Sequence, residues 1–334
     1  MTVDITRRSI LKSGPGTLAA GALTAGALAA GSGTAVAAEK YPNHPINFIV
    51  PWGPGGGADL LARTAGKLMG HDLGVSVPVI NVPGATGMVG MAKLLTSPAD
   101  GYTMAVLIGD TYALLARPHP AFDPKAVIPL AIMIQQASGY WVSTKSPWKT
   151  WPEFVAAAKK KPMKVAVLGY GSADDITTSY MKTKGLKLVE IPYSKPVLRY
   201  TSVIGGHTDL LYEQTGDVRA YFDGGEIRPL ILFYPHRLTI PQFKNVPIGK
   251  EFGYTVDLPQ FRSVAIRADT PPARVKVLAD ELARVAKTPD WKSYLEGQYA
   301  DPNSYIPMDG ARAFMNDWLA EAKKFRALTK MGGR

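Results

Sequence analysis

Residues 46–63 read Ile-Asn-Phe-Ile-Val-Pro-Trp-Gly-Pro-Gly-Gly-Gly-Ala-Asp-Leu-Leu-Ala-Arg, and this stretch constrains the fold more than any other. Ile46, Phe48, Ile49 and Val50 form the short apolar run of a buried strand. Residues 51–57 hold too much Gly and Pro to continue a regular element. From Ala58 the period changes, with Leu60, Leu61, Ala65, Leu68 and Met69 recurring along one helical face. The segment is therefore predicted to be strand, glycine loop, helix. Without Cβ atoms, Gly55, Gly56 and Gly57 let the backbone approach a ligand closely, and the first helical N–H groups face whatever sits there. The helix dipole makes an anion the natural occupant. Three readings stand at this point: a tight connection with no ligand, a dinucleotide site, or a carboxylate held by amides. Gly53-Pro-Gly-Gly-Gly-Ala58 fits G-x-G-x-x-A, yet the next strand ends at Asn81 without a carboxylate for a ribose. A nucleotide P-loop is excluded because no Gly-Lys-Ser/Thr follows.

The same device recurs. Residues 75–80 are predicted as a second strand leading into Asn81-Val-Pro-Gly-Ala-Thr-Gly87, and Met88, Met91, Ala92 and Leu95 follow at helical spacing. A third strand, 102–108, enters Gly109-Asp-Thr-Tyr112. Three βα units in succession imply a parallel sheet whose loops share one edge, where open α/β sheets bind ligands. Beyond residues 127–142 a second region repeats the pattern. Thr150-Trp-Pro-Glu153 caps a helix, and the strand at 165–168 meets Gly169-Tyr-Gly-Ser172 before a helix near Ile176. Strands follow at 188–191, 210–212, 229–233 and 261–266, then helices after Thr270 and around Phe314, Trp318, Ala322 and Phe325. Extended passages at 135–140 and 257–261 are expected to be the two crossings between lobes.

The first residues speak to destination. Thr6-Arg-Arg-Ser-Ile-Leu-Lys12 is a twin-arginine pattern, followed by a Gly/Ala/Leu stretch at 18–30 and small residues, Ala35-Val-Ala37, before a cleavage point. Residues 1–37 are thus expected to be a cleaved signal peptide, with the periplasm as destination. Their loss takes away three basic residues and one acidic one, so the net charge falls from +11 to about +9. The remaining basic residues are scattered, apart from Lys159-Lys-Lys161. No recognition-helix, RNP or zinc-finger pattern accompanies them, so a nucleic-acid partner is not expected.

Catalytic chemistry finds no foothold. With no cysteine, disulfides, thiol nucleophiles and thiolate metal sites are excluded. His44, His71, His119, His207 and His236 lie far apart, without metal-ligand spacing. Ser172 stands outside any G-x-S-x-G context. Asp174-Asp175 opens a helix, where adjacent carboxylates are expected to be surface groups offsetting the dipole. No catalytic residue, metal or cofactor is expected.

Four stretches, Val50-Pro-Trp-Gly-Pro-Gly-Gly-Gly-Ala-Asp-Leu-Leu-Ala-Arg63, Asn81-Val-Pro-Gly-Ala-Thr-Gly87, Asp100-Gly-Tyr-Thr103 and Gly205-Gly-His-Thr-Asp209, resemble the Bug receptors. These are the extracytoplasmic solute-binding proteins of tripartite tricarboxylate transporters, and the similarity runs from about Tyr41 to the C-terminus. The resemblance implies an α/β, two-lobed periplasmic binding protein of the Venus-flytrap type, each lobe a mainly parallel sheet flanked by helices. Lobe 1 would combine residues 38–138 with 260–334, and lobe 2 would span 139–259. A monomer would capture a small carboxylate and pass it to integral-membrane permease subunits. The alternatives are an enzyme acting on an organic acid and a sensing protein without transport. Thr86 stands where the family has glycine, Tyr193-Ser-Lys195 where it often has Tyr-Lys-Gly, and Asp175 where a histidine is common. These departures bear on the ligand more than on the fold.

For the site, amides of Gly55, Gly56 and Gly57 and of Thr86 and Gly87 are expected to face one cleft, joined by Thr111 and, from the opposite lobe, Ser172. Asp59 would repel an anion, so it is expected to cap the helix or to take an amine or hydroxyl. The Trp52 ring is expected to pack on the ligand or to plug the core. Ser172, Tyr193 and Lys195 would discriminate among acids, with Lys195 meeting a second carboxylate.

Overall fold

In the computed structural model, which describes residues 40–329, the run Asn47–Val50 is strand β1, buried at every position after the first. The signal-peptide expectation falls on residues outside those described. Helix α1 (Gly57–Leu73) leaves the glycine loop and ends at Gly74, whose positive φ of 70° lets its N–H turn back to the Gly70 carbonyl. Then come β2 (Val79–Asn81), α2 (Met88–Thr96), β3 (Thr103–Ile108), the single turn α3 (Gly109–Tyr112) and the long strand β4 (Val127–Gln136). β2 is shorter than its apolar run suggests. Residues 76–78 lie beside β1, with the Ser76 and Pro78 carbonyls accepting from Ile46 and Phe48, but Pro78 has no N–H to return.

After Ala137 the chain passes directly into a second sheet. It lays down β5 (Ser138–Ser143), α4 (Trp151–Lys160), β6 (Met163–Val167), α5 (Ala173–Thr183), β7 (Leu188–Pro192), α6 (Pro196–Ile204), β8 (Leu210–Gln214), α7 (Arg219–Asp223) and β9 (Ile227–Phe233). It then returns for β10 (Gln260–Arg267), α8 (Pro272–Val285), α9 (Pro289–Gly297), β11 (Ile306–Pro307) and α10 (Met308–Leu328). The first sheet has the order β11-β4-β10-β3-β1-β2 and the second β7-β6-β8-β5-β9. The two-lobed α/β architecture is as expected.

The sheets are mixed rather than mainly parallel. β1 runs parallel to β2 and β3, and β6 parallel to β7 and β8, as βα units require. β5 and β10 are antiparallel to both of their neighbours. Strands of the βα units end at the cleft, whereas β5 and β10 each enter a lobe from it, so they run the opposite way. Helix α10 packs on β4 of one lobe and α5 of the other. There Phe325 meets Tyr180 edge-on at 5.5 Å, which ties the C-terminal helix to both lobes.

Candidate functional site: the cavity between the lobes

The first glycine loop is fixed from within. Asp59, one turn into α1, accepts from the Gly55 N–H at 3.0 Å, from Arg63 Nε and Nη2 at 2.9 Å each, and from Asn81 Nδ2 at 2.9 Å. Asn81 also donates to the Trp52 carbonyl at 3.0 Å, so loop, helix and β2 are one unit. Burial alone would raise the Asp59 pKa, but Arg63 and the donors from Gly55 and Asn81 hold it below the ordinary range. Asp59 is thus an internal lock for the loop, and the Gly55 amide is already used by it.

Gly56 and Gly57 face the other lobe. A Cβ on Gly56 would lie 2.9 Å from Pro196 Cγ at the start of α6. The Gly57 N–H donates to Asp217 Oδ2 at 3.3 Å, and a Cβ there would fall 2.2 Å from Asp217 Oδ1. Here α1, β10, α6 and the loop after β8 line a narrow cavity of about 30 Å³. Trp52, Gly56, Gly57 and Arg262 line it from the first lobe, and Pro196, Arg199, Tyr200 and Asp217 from the second.

Both arginines are 2% exposed. Arg262 Nη2 donates to Asp217 Oδ1 at 2.8 Å and Oδ2 at 2.7 Å, and its Nη1 donates to Gln136 Oε1. Arg199 donates through Nε, at 3.0 Å, and Nη2 to Glu213 Oε2. Desolvation would lower both arginine pKa values, but Asp217 and Glu213 hold them above ordinary. Among the described residues, four buried donors on the lining find no protein partner: Trp52 Nε1, Arg199 Nη1, Tyr200 OH and Arg262 Nε. Burial raises the Tyr200 pKa well above its ordinary value, so its hydroxyl keeps its proton. A lone buried donor costs on the order of 1–3 kcal/mol, so four around one cavity mark a place for an acceptor-rich guest.

The second loop approaches the opposite lobe nearby. Ala85 and Thr86 are left-handed, with φ of 47° and 54°, and a Cβ on Gly87 would strike Thr111 Oγ1 at 2.3 Å. Thr111 is buried and its hydroxyl is unpartnered. A Cβ on Gly169 would lie 2.8 Å from Thr86 Oγ1, and Arg117 Nη2 donates to the Tyr170 carbonyl at 2.6 Å. Asp110 accepts from the Ala173 N–H at 3.0 Å, joining the two lobes again. Ser172 is fully buried, and its hydroxyl serves its own turn. It donates to the Gly169 carbonyl at 2.6 Å and accepts from the Asp175 N–H at 3.2 Å.

Asp174 and Asp175 are not surface groups. They are 1% and 2% exposed because the start of α5 is covered by the facing lobe. Asp174 accepts from the Leu168 N–H at 2.8 Å and Asp175 from the Gly171 N–H at 2.5 Å. Burial, and for Asp174 also the charge of Asp110, raises the pKa of both Asp110 and Asp174.

Of the residues expected at the site, Trp52, Gly56 and Gly57 line the cavity. Thr86, Gly87, Thr111 and Ser172 gather at the neighbouring contact between lobes, while Gly55 is an exposed loop residue whose amide is held by the buried Asp59. Tyr193 is half-buried in the second lobe's own core, and Lys195 is exposed one residue before Pro196. Arg199, Asp217 and Arg262 were missed. The signal for the two arginines was a single charge inside an apolar run, as in Gln-Phe-Arg262-Ser-Val-Ala-Ile and Pro-Val-Leu-Arg199-Tyr, whereas Asp217, in Thr-Gly-Asp-Val-Arg, carried none.

Two α/β lobes closing on one polar cavity define a solute-binding protein fold. The profile of the family described as tripartite tricarboxylate transporter family receptor matches residues 61–327, and the chain belongs to that family. A Cupriavidus necator protein, the UPF0065 protein in the gbd 5' region, is 30% identical over 266 residues, 77% of this chain and 79% of that one. Among solved structures, a Rhodopseudomonas palustris protein with adipate superposes with a TM-score of 0.81 at 20% identity, covering 87% of this chain and 99% of the other. MatC from Rhodopseudomonas palustris, with bound malate, superposes at 0.77 and 20% identity over 85% and 99%. At that identity the two structures speak for the fold.

Proposed function

We propose that this protein is a periplasmic receptor that captures a small organic acid and delivers it to membrane permease subunits. The observation that carries the reading is the set of unpartnered buried donors, two of them on arginines, around a cavity at the amide end of α1. Such a lining favours carboxylate oxygens, because charge-assisted hydrogen bonds contribute roughly 1.5–3 kcal/mol each. Malate and adipate in structures of the same fold support a diacid as ligand class. In this reading Trp52, Gly56, Gly57, Arg199, Tyr200 and Arg262 form the site. Thr86, Gly87, Thr111 and Ser172 set how the lobes meet beside it, and Lys195 at the exposed edge attracts anions toward the cleft. The lobes are residues 38–138 with 260–334, and 139–259. Residues 1–37 direct export through the twin-arginine route, and the mature monomer binds its ligand without altering it.

A thermal-shift screen of the purified protein against mono-, di- and tricarboxylates tests the reading, because a ligand at a hundredfold its Kd stabilises by about 2.7 kcal/mol. The expected result is a raised melting temperature with at least one acid, recovered chemically unchanged. Flat responses across the panel, or conversion of the acid, refute it.

A further inference from the structure

The geometry points to Asp217 as a resident carboxylate that fills the ligand's anion position in the empty receptor and is displaced when an organic acid binds. The inference rests on the carboxylate reading and adds a competitor built into the chain. Asp217 sits where a guest carboxylate would sit, on the Gly57 N–H at the amide end of α1 and on the guanidinium of Arg262. Its hold is incomplete. Both of its oxygens engage the single nitrogen Nη2, at 2.8 and 2.7 Å, and its contact with the Gly57 N–H is long, at 3.3 Å. The neighbouring Arg262 Nε is left without a partner.

An arginine's Nε and Nη2 together match the two oxygens of a carboxylate in a parallel fork. Asp217, tethered in the loop between β8 and α7, reaches only one prong. A free carboxylate is not tethered and can take both. Exchange of one carboxylate for another leaves Arg262 neutralised, and the displaced Asp217 carboxylate must turn toward solvent. Trp52 Nε1, Tyr200 OH and Arg199 Nη1 then remain for the rest of the guest. The side chain of Asp217 is 6% exposed, and its residue as a whole is less buried than Arg262, Glu213 or Gln214, so it stands nearest to solvent among these polar groups.

Calorimetric titration of the purified protein and of Asp217→Asn with malate and adipate tests the displacement. The amide keeps the size of the side chain and an acceptor for Arg262 but removes the competing charge. Binding of the diacid that the unaltered protein takes should tighten tenfold or more. Equal or weaker binding by the variant overturns the displacement, weaker binding meaning that Asp217 touches the ligand itself, and leaves the carboxylate reading standing. Binding of neither diacid by either protein overturns displacement by a diacid, and the carboxylate panel alone then decides the reading it rests on.

A second measurement serves if the variant folds poorly. In Asp217→Ala, acetate should raise the melting temperature by supplying the missing carboxylate, with chloride at equal ionic strength as the control. The response should exceed that of the unaltered protein and vanish in Asp217→Ala combined with Arg262→Gln. An acetate response no larger than that of the unaltered protein also overturns the inference.

Discussion

Replacing Glu190 with Gln removes a charge that the second lobe holds at a cost. Glu190 lies on β7, buried, with Lys182 Nζ 2.5 Å from its Oε1 and Asp175 of α5 beside it. Burial, and then Asp175, push its carboxyl from 4.5 up to about 7, and Lys182 offsets only part of this. A carboxyl whose folded pKa is raised favours the fold when protonated. Its contribution is complete below about pH 4.5 and is lost as pH rises through 7. At 1.36 kcal/mol per pH unit, the rise from 4.5 corresponds to roughly 3 kcal/mol. The amide of Glu190→Gln keeps an acceptor for Lys182 and a donor for Asp175, so the variant should lack this loss. For a chain of this size 3 kcal/mol corresponds to about 5 °C in melting temperature. Thermal unfolding followed by far-UV circular dichroism at pH 5 and pH 8 measures it. Near pH 5 the variant should melt only about 1 °C higher, because the loss has just begun above pH 4.5, and at pH 8 it should melt higher by about the full amount. Asp257, raised to about 6, and the Asp110–Asp174 pair titrate with the same sign in both proteins and cancel in the difference. A difference that is the same at both pH values would refute the reasoning.

Asp59→Ala frees the Gly55 amide, Arg63 and Asn81 together, so stability should fall by roughly 2–3 kcal/mol at neutral pH. Because the Asp59 pKa is depressed, that contribution is present above the ordinary Asp range and fades as pH falls through the lowered value, and urea midpoints at pH 7 and pH 3 follow it. Gly56→Val places new atoms against Pro196, within 2.9 Å already at Cβ, and should weaken diacid binding tenfold or more with an unchanged far-UV spectrum. Unchanged affinity there would mean that the loop is no cleft wall. Lys195→Ala should slow association at low salt and leave dissociation unaltered, as an exposed rim charge does. A faster dissociation in stopped flow would instead put Lys195 on the bound ligand.

The fold was legible where local pattern and topology coincide. The shift from an apolar run to glycines to a 3.6-residue period marks each βα unit, and a parallel pair joined by a helix leaves little choice of direction. The directions of β5 and β10 were not legible in the same way. Residues 138–143 and 260–267 are apolar runs like any buried strand, and nothing local tells whether a strand starts or ends at the cleft. That depends on where the chain crosses between lobes, which is a property of the whole path.

The site was legible by half for a related reason. Gly56 and Gly57 announce themselves by backbone needs, and Trp52 by a large ring beside them, both of which a sequence states directly. Asp174 and Asp175 do not, because their burial comes from a lobe more than sixty residues away, where Asp110 receives the Ala173 N–H. A cleft covers the polar ends of its strands with a second set of polar ends, so every buried charge there must find a counterpart. Arg199 finds Glu213 and Arg262 finds Asp217, while burial shifts the Asp110 and Asp174 carboxyls toward their neutral forms. Once those pairs are matched, the unpartnered groups on the cavity lining are all groups that can donate. That residue of the balance selects an acceptor-rich guest, and it exists only after both lobes have brought their charges together.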